Sequence, residues 1–258
     1  MTKIDREIES QELGNLLLEV GSSLLVSGAS CSRILVTMNR IATSFQHAIY
    51  VSIQPSNVSL TLYDRQDKVC FTGIRGNGGL VVNLETIAGI SKLSWDVVEQ
   101  GLSLQHVKEQ LAEILQRPRF PRLLVLSTVG LACAAFCYSL GGTWTEMLIT
   151  FGATFVGLWA RQEVARRKFN HYICVFIGSL VASLVVGAFV KAGLDVQFDN
   201  AFATCVLFLT PGIPLINCFN DLIDGHTLTG LARGLNASIT SLVVAMGLLL
   251  TMFVLNIN

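Results

Sequence analysis

Hydrophobic positions in the first 120 residues recur with the periods of secondary structure. Between residues 5 and 27, Ile8, Leu16, Val20 and Leu24 fall at near-helical spacing and Gly28 is a natural stop. Ile34, Met38, Ile41 and Phe45 then repeat at intervals of four, three and four, so two amphipathic helices are predicted to open the chain. The period next shortens to two. Val58, Leu60 and Leu62 alternate with Ser59, Thr61 and Tyr63 between the turn signals Pro55-Ser56-Asn57 and Asp64 to Asp67. With Tyr50 to Ile53 before and Val69 to Ile74 after, this predicts a three-stranded antiparallel meander. Helices resume after Gly78-Gly79, and the last is expected from Leu104 to about Gln116 with Val107, Leu111 and Leu115 on one face. Pro118 and Pro121 end it.

From Leu123 onward amphipathic periodicity gives way to continuous apolar runs. About 20 apolar residues cross a bilayer, and a charge at the centre of a spanning helix costs roughly 2.5 to 3.5 kcal/mol, so charge-free runs mark the spans. Five are expected, at about 123–140, 144–160, 172–190, 201–219 and 235–255. The second is short and carries Glu146 near its start. Basic residues flank these runs unevenly: Arg117, Arg119 and Arg122 precede the first, Arg161, Arg166, Arg167 and Lys168 follow the second, and Arg233 precedes the fifth. Only Lys191 falls on the other side, which leaves 17 of the 18 Lys and Arg on one side. Lys and Arg near span ends stay inside. The N-terminus is therefore expected in the cytoplasm and the C-terminus in the periplasm, with Asp195 and Asp199 in an outer loop.

Charge counts place the boundary. Residues 1–122 hold twelve basic and twelve acidic residues, which leaves six of each for the following 136. The predicted fold class is an α+β cytoplasmic N-terminal domain, residues 1–118, followed by an all-α integral membrane domain of five transmembrane helices, residues 119–258. This pattern excludes a uniform soluble domain and a disordered chain, and zero net charge gives no reason to expect nucleic acid as a partner. The seven cysteines include no C-x-x-C pair, so neither a disulfide framework nor a metal site is signalled, and no cofactor is expected. The charged first twelve residues and Glu19 do not read as a cleavable signal peptide. Nor does the head show a catalytic constellation. Gly76-Asn77-Gly78-Gly79 lacks a following Lys-Ser/Thr and reads as a turn, His47 and His106 stand alone, and no serine sits in a Gly-x-Ser-x-Gly elbow.

One segment departs from a lipid-facing helix. Pro211, Gly212 and Pro214 interrupt the fourth run, since each proline removes a backbone donor and glycine loosens the chain. Broken backbone at membrane depth is tolerated where it is buried or lines a watery cavity, although a simple proline kink is the plainer alternative. Asn217, Asp221, His226 and Arg233 follow among apolar residues and glycines. Polar and ionisable groups beside a broken helix can bind a polar solute or move protons; a cytoplasmic loop is the alternative for residues 224–233.

Phe120-Pro121-Arg122, the run Gly130 to Cys137, Arg161-Gln162, Pro211 to Asn217 with Asp221, Gly225-His226 and Gly230-Leu231-Ala232-Arg233 together resemble the YjjP-type subunit of the threonine/serine exporter (ThrE) family. In the first 100 residues Gly28-Ala29-Ser30 is the best match. The resemblance implies export of small metabolites across the bacterial inner membrane, succinate for YjjP-type subunits and threonine or serine for fused members. It also implies a separate small membrane partner of the YjjB type, with a higher oligomer open. On this reading the break binds a carboxylate, Arg233 is a cationic contact, and Asp221 and His226 gate or carry protons. A regulatory or assembly subunit, and a hydrolase head, are the readings from other classes.

Overall fold

The computed structural model describes residues 3–118, 120–192 and 198–256. Arg119 and Asp195, expected to flank the first span and to sit in an outer loop, lie outside the described residues. The chain divides into two units, Met1–Pro118 with Ile213–Leu235, and Arg119–Gly212 with Asn236–Asn258.

In the first unit, helix α1 (Lys3–Val26) packs on a sheet of β1 (Ala48–Gln54), β2 (Asn57–Tyr63) and β3 (Val69–Gly76), ordered β1-β2-β3 and antiparallel throughout. Ile53 pairs with Val58 and Val51 with Leu60, and the alternation along β2 turns Val58, Leu60 and Leu62 into the core. Glycines allow the close approach: a Cβ at Gly14 would fall 2.3 Å from the Phe71 ring, and one at Gly21 2.7 Å from the Met38 sulfur. Helix α2 (Cys31–Ser44) buries Ile34, Met38 and Ile41, the spacing read from the sequence. Two more helices complete the N-terminal part, α3 (Leu84–Gln100) and α4 (Leu104–Gln116). On α4 the inward residues are Val107, Leu111 and Ile114, and Leu115 is 39% exposed. At 3.6 residues per turn, positions i, i+4 and i+7 stay on one face, whereas the expected i+8 drifts off it.

In the second unit, α5 (Arg122–Ser139), α6 (Trp144–Arg166) and α7 (His171–Lys191) pack in sequence, with α8 (Phe198–Cys205) and a short 3-10 turn (Leu207–Leu209) against them. Glu146 serves the start of α6. Its Oε2 accepts from Thr143 N at 3.0 Å while Thr143 Oγ1 accepts from Glu146 N at 3.3 Å, a reciprocal cap. Helices α6 and α7 meet through small residues, since a Cβ at Gly157 would fall 2.6 Å from Ala182 Cβ and 2.9 Å from the Gly178 carbonyl oxygen. Large apolar side chains remain exposed on the outside, among them Leu123, Leu131 and Leu148, as lipid-facing surface requires.

Helix α9 (Gly212–Ile223) and α10 (Thr227–Leu255) end the fold. Among the described residues three helices, α5, α7 and α10, are long and apolar enough to cross a membrane, or up to four spans if the broken pair Asp199–Leu209 and Gly212–Ile223 counts as one. The expectation of five transmembrane helices is therefore corrected. In α6, Glu146 and Arg161 leave only fourteen residues between them, short of the ~20 needed to cross. The expectation of a separate cytoplasmic N-terminal α+β domain also fails. Ile213–Leu235, assigned in advance to the membrane domain, packs as part of the same unit as residues 1–118. Apolar helical sequence does not say which unit a helix joins, and on α9 only Cys218 and Asp221 are buried.

Candidate functional site: a polar latch at the α1–α2 corner

The corner between α1 and α2 is shaped by Gly28. With φ at +90°, it lets its own N–H donate to Leu25 O at 3.2 Å and the Ala29 N–H to Leu24 O at 3.0 Å, the Schellman closure of a helix end. Ser30 then caps α2, its Oγ accepting from Arg33 N at 3.4 Å. Three backbone groups at this corner are taken by side chains of α9 and α10. Asn217 Nδ2 donates to Gly28 O at 2.7 Å, Arg233 Nη2 donates to Ala29 O at 2.8 Å, and Cys31 N donates to Asp221 Oδ1 at 2.8 Å. Asn217 and Asp221 reach the corner together because they are four apart on α9.

Asp221 is fully buried and Arg233 nearly so, with side chains 0% and 12% exposed, and Asp221 Oδ2 lies 2.8 Å from Arg233 Nη1. A carboxylate at the N-terminal end of α2 meets an amide hydrogen and the positive end of the helix dipole, while the guanidinium balances its charge. The same surroundings act on Cys31. Burial first, and the Asp221 carboxylate second, push its thiol up to about 12, which keeps it neutral at physiological pH. Thr229, one turn before Arg233 on α10, donates to Ile53 O at 3.1 Å and fastens α10 to β1.

Of the residues singled out in sequence, Asn217, Asp221 and Arg233 are thus brought together. His226 is not among them. Its backbone N–H donates to Asp221 O at 2.7 Å, closing α9 over Gly225 at φ +82°, and its half-buried ring makes no hydrogen bond among the described residues. Pro211 and Gly212 mark the break itself, where Thr210 is extended and α9 restarts at Gly212. Pro214 occupies the first turn of α9, where a missing N–H leaves no bond unmade. Sequence reasoning did not name Cys31, and did not pair Gly28 and Ala29 with these side chains or Thr229 with β1. A signal was present in two polar i,i+4 pairs, Asn217 with Asp221 and Thr229 with Arg233.

Asn217→Ala is expected to leave Gly28 O without its donor and to lower stability by about 1–2 kcal/mol. Thermal unfolding in detergent checks this; an unchanged midpoint would show that the bond contributes nothing.

Beside the latch an open groove of about 780 Å³ is lined by Ser30, Arg33, Arg40, Lys92, Trp95 and Asp224, among others. Arg40 stacks over Trp95 at 3.7 Å and donates to Ser94 Oγ at 2.8 Å. Three cations face one carboxylate there, a field that attracts anions.

Known proteins agree with an export role for such a chain. The family described as "Putative threonine/serine exporter" (ThrE) matches residues 15–255. A protein named "Probable succinate transporter subunit YjjP" from Escherichia coli is 28% identical over 249 residues, 95% of this chain and 95% of that protein. Its namesake from Klebsiella aerogenes is 28% identical over 246 residues, 95% of this chain and 94% of that one. The "Threonine/serine exporter" of Corynebacterium glutamicum is 26% identical over 247 residues, 90% of this chain but only 50% of that protein. No solved structure matches. The family and these relatives are transporters rather than enzymes, and the apolar helices agree with a multi-pass membrane protein. The chain belongs to the threonine/serine exporter family.

Proposed function

We propose that this chain is one subunit of an inner-membrane secondary exporter of small carboxylate metabolites, with succinate as the first substrate to test, and that a separate small membrane protein of the YjjB type completes it. Coverage carries this reading. The chain aligns along nearly the whole of two relatives named as succinate transporter subunits, but with only half of the threonine/serine exporter of Corynebacterium glutamicum. A partner supplying the other half follows from that difference.

An interior-negative potential drives one negative charge outward by about 2.3 kcal/mol per 100 mV, so a dianion gains roughly twice that and needs no nucleotide hydrolysis. The cationic groove supports attraction of such anions, and the latch of Asn217, Asp221 and Arg233 serves as the gate that holds the α9–α10 hairpin in place. Pro211, Gly212 and Pro214 form the hinge of that segment, and His226 closes the end of α9 beside it. Arg117 ahead of α5 and Arg122 at its start support a cytoplasmic position for the N-terminus. With three crossings the C-terminus then lies in the periplasm, which reporter fusions at the two termini test.

Succinate efflux is to be compared in cells carrying this chain and the partner together, either alone, or neither. Export by the pair alone supports the subunit reading. Export by the partner alone at the rate of the pair would reduce this chain to an assembly or regulatory role. Efflux of threonine or serine in place of succinate would support the amino-acid reading, which the relative from Corynebacterium glutamicum favours.

A further inference from the structure

The second unit contains a cation that its surroundings do not neutralise. Arg122 donates from all three of its nitrogens: Nε to Gln162 Oε1 at 2.8 Å, Nη1 to Glu163 Oε2 at 3.3 Å and Nη2 to Trp159 O at 3.1 Å. Arg161, on the same helix as these partners, is half-buried yet makes no ion pair and no hydrogen bond among the described residues. It lies against α7, where a Cβ at Gly178 would fall 3.1 Å from Arg161 Cβ and 3.6 Å from Leu209 Cδ2. Glycine at 178 is what lets the arginine stem and the 3-10 turn Leu207–Leu209 approach one spot. The ionisable groups of α7 nearest to it are His171 and Cys174, and neither supplies a carboxylate. A guanidinium withdrawn from water without a counter-charge is costly, and such residues in membrane proteins mark ion or substrate paths.

We infer that Arg161 is the carboxylate-binding residue of the second unit, receiving a carboxylate of the exported metabolite on its guanidinium fork beside the Leu207–Leu209 turn. This rests on the exporter reading and refines it. The role expected of Arg233 falls to Arg161, because Arg233 already has a carboxylate and a carbonyl as partners. Planar, bidentate binding suits an arginine, so a lysine would retain the charge but not the geometry.

The test uses the full chain re-expressed in cells that lack their own copy, as wild type, Arg161→Gln, Arg161→Lys and, as a control in the exposed turn, Arg167→Gln. Membrane levels are measured by immunoblot, and efflux of succinate and of threonine is followed against internal concentration. Arg161→Gln is expected to raise the half-saturating concentration at least ten-fold at wild-type membrane level. Arg161→Lys should raise it by less, and Arg167→Gln should leave it unchanged. A wild type that exports threonine and not succinate overturns the dicarboxylate reading but leaves the Arg161 assignment to be read on threonine. An Arg161→Gln chain that reaches the membrane and keeps the wild-type half-saturating concentration overturns the assignment. If Arg161→Gln fails to accumulate, Arg161→Lys decides: an unchanged half-saturating concentration overturns the inference, and a raised one supports it. A wild type that exports neither solute overturns both.

Discussion

Asp221→Ala is expected to destabilise the protein by about 3–5 kcal/mol and to abolish export, because it removes one member of a buried ion pair and leaves the other charge behind. Three groups lose by this change: the guanidinium of Arg233, the Cys31 N–H, and the N-terminal end of α2. Asp221→Asn retains an acceptor for Cys31 and is expected to cost less than alanine. Removing the second charge as well, in Asp221→Ala/Arg233→Met, should recover part of the loss, since a vacated pair of charges is less costly than an orphaned one. Full recovery is not expected, because Cys31 N and Ala29 O remain without partners. The exchange Asp221→Arg/Arg233→Asp should fail, since it points a cation at an amide hydrogen and a positive helix end. Thermal unfolding of the four variants in detergent measures the set, and a rescue by the exchange would show that only the pairing of charges matters.

Gly157→Leu is expected to prevent α6 and α7 from assembling. Even alanine there places its Cβ 2.6 Å from Ala182 Cβ and 2.9 Å from the Gly178 carbonyl, and no rotamer relieves a clash made by Cβ. Overpacking of this kind costs about 1–3 kcal/mol for one methyl group. The helix preference of alanine over glycine returns about 1 kcal/mol, so the contact outweighs the propensity. Gly152 provides the opposite sign on the same helix. A Cβ there meets nothing within 4 Å, and Gly152→Ala should be neutral or stabilising by up to about 1 kcal/mol. Equal unfolding midpoints for Gly157→Ala and Gly152→Ala would contradict the packing described for α6 and α7.

Elements with a strong local period were legible in the sequence. The meander follows from alternation along Val58, Leu60 and Leu62, and α2 from the spacing of Ile34, Met38 and Ile41, because each pattern is written within one or two turns of chain. The latch was only half legible. Asn217 and Asp221 stand out as polar residues on an apolar helix, but their partners at Gly28 and Cys31 are 189 and 190 residues away. Periodicity names the face of a helix and not what covers it. The same limit explains the correction to the spans. Hydropathy groups α9 with the membrane domain because apolar composition does not record which unit a helix packs in. Arg161 was visible as a basic residue near a span end, yet whether a neighbour neutralises it depends on α7, which sequence does not bring beside it.

Efflux of succinate from cells that carry or lack this chain, with the small membrane partner present in both, tests the central claim most directly. The account predicts rapid loss of internal succinate only when both proteins are present, and loss of that export with Asp221→Ala. Equal efflux with and without this chain would contradict it.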